Sequence, residues 1–280
     1  MFINGSNSTN RKMQKTVITL IVVIFTVQNS FGQDTESDFQ EVNERKDFSL
    51  AISPYAWLAG NATDVGGEKL RQSFNDLSSL TNFGFQMATT ARYKRFTAAL
   101  DWTYAHLGAG IDNNALTVDA HVYQWIVDPK LGYIIYDKIS YDDINVIAGW
   151  SLEANIGAKY WVNDIDVDYS LLILDKFPIE GNIGEKQDWW DLMLGLKTKF
   201  ILSKSVLLSI AGDVGGFGLG SSSKFAWDLA YANTFKVSNL ILVTAGYRSF
   251  RYKRIDGTGE EELRTKVHAY GPFIGISFVL

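Results

Sequence analysis

Side chains of one character return at every second position along this chain, in stretches too long for an ordinary globular strand. From Trp190, the even positions Trp190, Leu192, Leu194, Leu196 and Phe200 are apolar, and Asp191, Lys197 and Lys199 fall between them. From Phe225, one face carries Phe225, Trp227, Leu229 and Tyr231, the other Lys224, Asp228 and Thr234. Phe96, Ala98, Leu100, Trp102 and Tyr104 alternate with Thr97, Asp101 and Thr103. Ile165, Val167, Tyr169, Leu171 and Ile173 alternate with Asp164, Asp166, Asp168 and Ser170. A period of two marks an extended strand with two unlike faces. Such runs exceed the usual five or six residues of a globular strand and match the ~9–11 that a tilted strand needs to cross a bilayer.

The apolar stripes are rich in rings, with 8 Trp, 13 Tyr and 17 Phe in 280 residues. A soluble sandwich or lipocalin-like barrel would bury small and aliphatic residues on shorter strands. This pattern instead predicts large apolar side chains facing lipid, and mixed small, polar and charged ones facing a lumen. A bilayer offers no water to an open sheet edge, so such a sheet must close. The predicted fold class is therefore all-β, a closed antiparallel transmembrane β-barrel. Tyr93, Phe96, Tyr160, Trp161, Trp189, Trp190, Phe235, Tyr247 and Tyr252, at strand ends, are expected to form the two interfacial girdles.

The alternation resolves into strands near 48–58, 83–93, 96–107, 116–127, 130–136, 145–161, 164–173, 189–201, 205–214, 223–235, 240–252 and 264–279. That makes about twelve; ten is the alternative, because reading the pair around Asp128-Pro129 as one long strand forces another pairing elsewhere. Turns at 93–96, 202–205 and 236–239 are tight, whereas 60–82, 175–188 and 253–262 are longer and polar. In outer-membrane barrels the short turns are periplasmic and the long loops external. Within the first long loop, 68–80 predicts a short amphipathic helix with Leu70, Phe74, Leu77 and Leu80 on one side, placed to cap the mouth.

At the start, Arg11, Lys12 and Lys15 precede an apolar run over 17–27 and then Ser30-Phe31-Gly32-Gln33. This is the pattern of a cleaved Sec signal, with small residues at −3 and −1 of a cut after Gly32. Its roughly a dozen apolar residues fall short of the ~20 of a spanning helix. Residues 1–32 are thus expected to be a signal peptide, starting at Met1 or Met13. Residues 33–47 read as a polar periplasmic lead-in and 48–280 as one barrel domain, located in the outer membrane of a Gram-negative bacterium. The absence of Cys suits an exported protein and excludes a lipoprotein anchor and thiolate metal sites. Without the three basic residues of the leader, 23 basic residues face 31 acidic ones, a charge of −8. An acidic chain with no basic block excludes nucleic-acid binding.

Several segments carry a family likeness. They are Gly157-Ala158-Lys159-Tyr160-Trp161, the run from Gly212-Asp213-Val214 to Gly220-Ser221, and Ala245-Gly246-Tyr247-Arg248. The opening Ser53-Pro54-Tyr55-Ala56-Trp57-Leu58 and the closing stretch from Gly271-Pro272 to Phe278 accompany them. In kind and order they resemble an uncharacterised family of Gram-negative outer-membrane β-barrel proteins, over most of the chain after residue 48. Lys159 stands where the family pattern has Arg. The resemblance implies the barrel fold but no assigned activity, so no functional residue is carried over. The final strand alternates to Leu280 and resembles the terminal signal read by the barrel-assembly machinery, in which Phe or Tyr is more usual.

Three histidines, His106, His121 and His268, test for an enzyme. By alternation His106 continues the lipid-side row of Leu100, Trp102 and Tyr104, while His121 is expected on the lumen side with Thr117 and Asp119. His268 falls near the outer interface. No Gly-x-Ser-x-Gly, His-Glu-x-x-His or phosphate loop occurs. Catalytic, cofactor and metal sites are therefore not expected. The candidate functional residues are lumen charges: Arg92, Asp101, Asp119, His121, Glu153, Lys159, Asp191, Lys197, Lys199, Asp213, Asp228 and Arg248. With both signs present they could cross-link as a plug or line a narrow water path, and the sequence leaves both open. The expected role is structural or porin-like passage of small solutes. The alternatives are an enzyme acting on lipid or lipopolysaccharide, or a surface-loop binding protein. Expected partners are outer-membrane lipid and lipopolysaccharide, with the barrel-assembly machinery during insertion. The oligomeric state is not encoded.

Overall fold

The computed structural model describes residues 47–112, 116–142, 145–173, 177–257 and 262–280. The leader and nearly all of the lead-in lie outside the described residues. Twelve strands and one helix follow in order: β1 Phe48–Trp57, β2 Gly60–Val65, β3 Glu68–Gln72, α1 Phe74–Leu80, β4 Thr81–Tyr93, β5 Phe96–Asp112, β6 Leu116–Asp142, β7 Asn145–Ile173, β8 Phe177–Ser203, β9 Val206–Gly215, β10 Phe225–Lys236, β11 Ile241–Asp256 and β12 Leu263–Val279. Strands β4 to β12 pair in sequence, and β1 joins β4 to β12, closing an antiparallel barrel of ten strands. The other two are outside that ring: β2 continues along β12 above β1, and β3 folds back on β2.

The register sets the girth. Cross-strand partners followed round the wall from Ala51 pass through Thr90, Ala99, Lys130, Gly157 and Met193, then Gly215, Ala226, Tyr252 and Val267. The circuit returns to its own chain at Thr63, twelve residues above its start. Ten strands with that stagger tilt by about 40° around a cylinder of ~10 Å radius. Inward side chains on so narrow a cylinder meet one another across it.

Burial is inverted relative to a soluble barrel. Leu131, Leu196 and Ile274 are 66%, 56% and 53% exposed on the outer face, while Lys159 and Arg248 are each 1% exposed on the inner one. Rings ring the outside at two heights. Phe96 and Tyr133 meet at 5.2 Å near the short turns, and Tyr104 with Trp125 and Tyr160 with Trp190 lie at 4.5 and 4.4 Å toward the other end. Three residues expected in the girdles, Trp161, Trp189 and Tyr252, are buried inside instead. Each neighbours an outward residue, and successive side chains of a strand point to opposite faces.

Two expected breaks are absent. β6 runs straight through Asp128-Pro129 and β7 through 162–163. The β6–β7 ladder passes from Val127↔Tyr160 to Lys130↔Gly157 with its register unchanged. Pro129 lacks an N–H, so a ladder step is lost while the pleat keeps its phase. Pro54 does the same between β1 and β12, where pairing passes from Ile52↔Phe278 to Tyr55↔Gly275. The connections expected at 60–82 and 175–188 are largely structured: the first forms β2, β3 and the shorter helix α1, and the second belongs to β8 from Phe177 onward. Strands β5 to β8 therefore stand tall beyond the upper girdle. There Val65, Leu107, Ala120, Val122, Ile165 and Val167 pack a small core between the β2 side and the β5–β7 side.

Candidate functional site

Inside the barrel, two carboxylate pairs are directly opposed across strand boundaries: Asp101 with Asp128 and Asp213 with Asp228. Opposed like charges destabilise a sheet, and burial without partners would add to the cost. Cations of β6, β7 and β11 answer this. Lys130 Nζ lies 2.7 Å from Asp213 and 3.6 Å from Asp128. Lys159 Nζ lies 3.3 Å from Asp128 and 3.2 Å from Asp228. Arg248 donates to Asp228 through two nitrogens, Nε at 2.8 Å, in the bidentate geometry guanidinium favours. Asp101 accepts a hydrogen bond from the Tyr55 hydroxyl at 3.0 Å. Strands β6 and β7 are thereby tied to β9 and β10 through the lumen, and Arg248 of β11 joins from the neighbouring strand.

An aromatic layer adjoins this lattice, built from Trp57, Trp161, Trp189, Phe250, Tyr252 and Phe273. Trp161 stacks on Trp189 at 5.5 Å and on Phe250 at 5.3 Å. The cations of the lattice sit on its rings: Arg248 is 5.0 Å from the centre of Trp57, and Lys159 5.0 Å from that of Phe250. Arg254 lies 4.2 Å over Trp189. Cation–π attraction strengthens when water is excluded, so each layer supports the other. Glycines give the lattice its room. A Cβ on Gly195 would stand 1.8 Å from Asp213 Oδ1, and one on Gly132 2.4 Å from Glu153 Oε1.

The remaining sequence candidates divide by position. Glu153 accepts from Thr97 at 2.9 Å, faces Lys197 in the ladder and lies 4.0 Å from Lys199, all buried toward the short-turn end. Arg92 donates to the Lys94 carbonyl at 2.6 Å, on the rim. Asp191 is an anchor for the β9–β10 connection, accepting from Ser223 N at 2.7 Å and Ser223 Oγ at 2.8 Å. That connection folds inward, with Gly216 at φ +84°, where a Cβ would meet the Ser223 carbonyl at 2.5 Å. Asp119 and His121 are corrections. Both lie on the outer face of β6, since Ala120 and Val122 take the inward positions. His121 Nδ1 is 3.2 Å from His106 Nε2, and its other nitrogen 3.4 Å from Asp119.

Sequence reasoning missed Asp128, Lys130 and Arg254. The signal was available for the first two: Ile126, Asp128, Lys130, Gly132 and Ile134 keep one phase straight through the proline. Reading Asp-Pro as a turn hid it.

A wall apolar without and an interior of ion pairs decide the class. The chain is a transmembrane β-barrel of the outer-membrane type. No family model matches it, and no curated protein does so significantly. Solved structures similar to it include the outer membrane protease OmpT from Escherichia coli, at 9% identity and TM-score 0.49, over 84% of this chain and 97% of that one. Ail of Yersinia pestis, in complex with the heparin analogue sucrose octasulfate, gives 10% and 0.35 over 83% and 98%. The toluene transporter TodX of P. putida gives 9% and 0.28 over 83% and 89%. Likenesses this distant say nothing of activity.

One further side-chain contact on this barrel bears on chemistry. Ser249 Oγ lies 2.9 Å from His268 Nε2 on the outer wall, and no carboxylate among the described residues sits on the other imidazole nitrogen. Also among the described residues, no three His, Asp or Glu are grouped to hold a metal ion.

Proposed function

We propose that the protein is a closed structural barrel of the Gram-negative outer membrane, exported by the Sec pathway, that neither passes solutes nor catalyses a reaction. The observation that carries this reading is the charge lattice joining β6 and β7 to β9 and β10 through the lumen, with Arg248 of β11 on the same carboxylate as Lys159. Lys159, Arg248, Met193 and Phe250 are at most 1% exposed, as in a packed interior. A solute would have to part buried ion pairs, and an uncompensated buried charge costs roughly 3–5 kcal/mol. The narrow girth supports the same reading, because a ~10 Å radius is largely filled by the wall's own side chains. The Ser249–His268 contact lacks the third group that would orient the imidazole for nucleophilic chemistry.

Single-channel recording of the refolded barrel in a planar bilayer tests this. Silence from a protein shown to be inserted is expected. A variant with Lys159, Asp228 and Arg248 all shortened to Ala is expected to leak. Reproducible conductance steps from the unaltered protein would overturn the closed reading.

A further inference from the structure

The outer wall over β10, β11 and β12 changes character with height. Cross-strand rows make this explicit. Tyr231, Tyr247 and Pro272 form one row; Leu229, Ser249 and Tyr270 form the next. Above them stand Trp227, Arg251 and His268, and above those Phe225, Lys253 and Lys266. Below all four the wall is apolar, with Ile274 53% and Ile276 48% exposed. From bottom to top, aliphatic side chains give way to rings and then to rings mixed with cations.

The cationic rows are unfavourable as they stand. Lys253 and Lys266 are directly opposed in the ladder, and opposed like charges destabilise a strand pair. Lys266 has partial relief from Asp64 at 3.4 Å, and Arg264 from Glu262 at 2.5 Å. Arg251 and Lys253 are exposed and pair with no carboxylate among the described residues. On the β6–β7 side the outer face of the tall strands is acidic, with Asp119, Asp166 and Asp168. An anion is therefore drawn to one side of the barrel and repelled from the other.

We infer that the β10–β12 wall is a binding site for a phosphate-bearing lipid of the outer leaflet. Its acyl chains lie on the apolar wall, its sugar or glycerol against Trp227 and Tyr270, and its phosphates among Arg251, Lys253 and Lys266. The charge order matches the headgroup of a phosphorylated glycolipid, and cations in two adjacent rows suit more than one phosphate. This rests on the external placement of the tall end, and the test separates the two.

The folded barrel is reconstituted in zwitterionic vesicles carrying a bis-phosphorylated glycolipid, and the lipid retained through detergent extraction is counted by native mass spectrometry. Retention is expected from the phosphorylated glycolipid and not from its dephosphorylated form. Arg251→Gln/Lys253→Gln/Lys266→Gln should weaken it about a hundredfold, at roughly fivefold or more per cation near an anionic surface. Soluble inorganic phosphate at millimolar concentration should not displace it; equal competition would reduce the site to a free-anion site and overturn the proposal. Lys94→Gln/Arg95→Gln, at the short-turn end, should leave retention unchanged. If only that pair abolishes retention, the orientation is wrong. If neither set matters in a barrel that still migrates as folded, the wall is no lipid site.

Discussion

Asp228 holds more of this molecule together than any neighbour of similar size. It accepts from Lys159 and, through two nitrogens, from Arg248, and it faces Asp213 across the ladder. Asp228→Ala would remove the bidentate carboxylate of Arg248 and one of the two carboxylates beside Lys159, at a cost of ~3–5 kcal/mol. The measurement is the urea midpoint of unfolding from lipid vesicles, and Asp228→Asn should recover only part because it restores shape without charge. An ion pair on the surface makes the contrast. Arg95 and Asp137 meet at 2.8 Å, but the two side chains are 50% and 29% exposed. There, Asp137→Ala should cost no more than about 1 kcal/mol, because water and salt screen the pair. A midpoint shift as large at Asp137 as at Asp228 would mean that lumen burial is not what gives the lattice its strength.

Among the elements, α1 shows how a short segment is held without a large core. Ser73 Oγ accepts from the Asp76 N–H, and the Asp76 carboxylate accepts from the Ser73 N–H at 2.7 Å, closing a capping box. Those hydrogen bonds, from the Ser73 backbone first and its hydroxyl second, hold the exposed Asp76 carboxyl below the ordinary carboxylate range. Because the folded value is the lower one, the cap contributes fully above the unfolded value of about 4 and is lost as pH falls through the folded value. Amide protection factors across 74–80, corrected for the intrinsic pH dependence of exchange, should therefore hold steady down to about pH 5 and fall below about pH 4. Ser73→Ala should remove the pH step and loosen the helix by ~1 kcal/mol. An unchanged step in that variant would place the titration elsewhere. The prolines in β1 and β6 make a related point, since each removes a ladder bond yet leaves the register alone.

For the whole molecule, the alternation of the wall makes a prediction about its tryptophans. Trp125 and Trp190 are 39% and 50% exposed on the outer face, whereas Trp161 and Trp189 are 1% and 2% exposed in the lumen. Single-tryptophan variants in vesicles with brominated acyl chains should show strong quenching at Trp125 and Trp190 and little at Trp161 and Trp189. The reverse would mean that the sheet is turned inside out. Much of this was readable without coordinates. Period-two runs such as Phe225–Tyr231 determine a strand and its two faces, because the pleat is a local property of the backbone. The lumen positions of Lys159, Asp213, Asp228 and Arg248 followed from the same phase. Asp119 and His121 did not, because they were assigned to a face one residue out of step, and a one-residue slip exchanges lipid for lumen. What only the tertiary structure decided was the stagger round the wall, and with it the girth and which inward charges meet. Lys130 finds Asp213 because ten strands close with a particular register, and closure is a property of the whole ring that no single strand encodes.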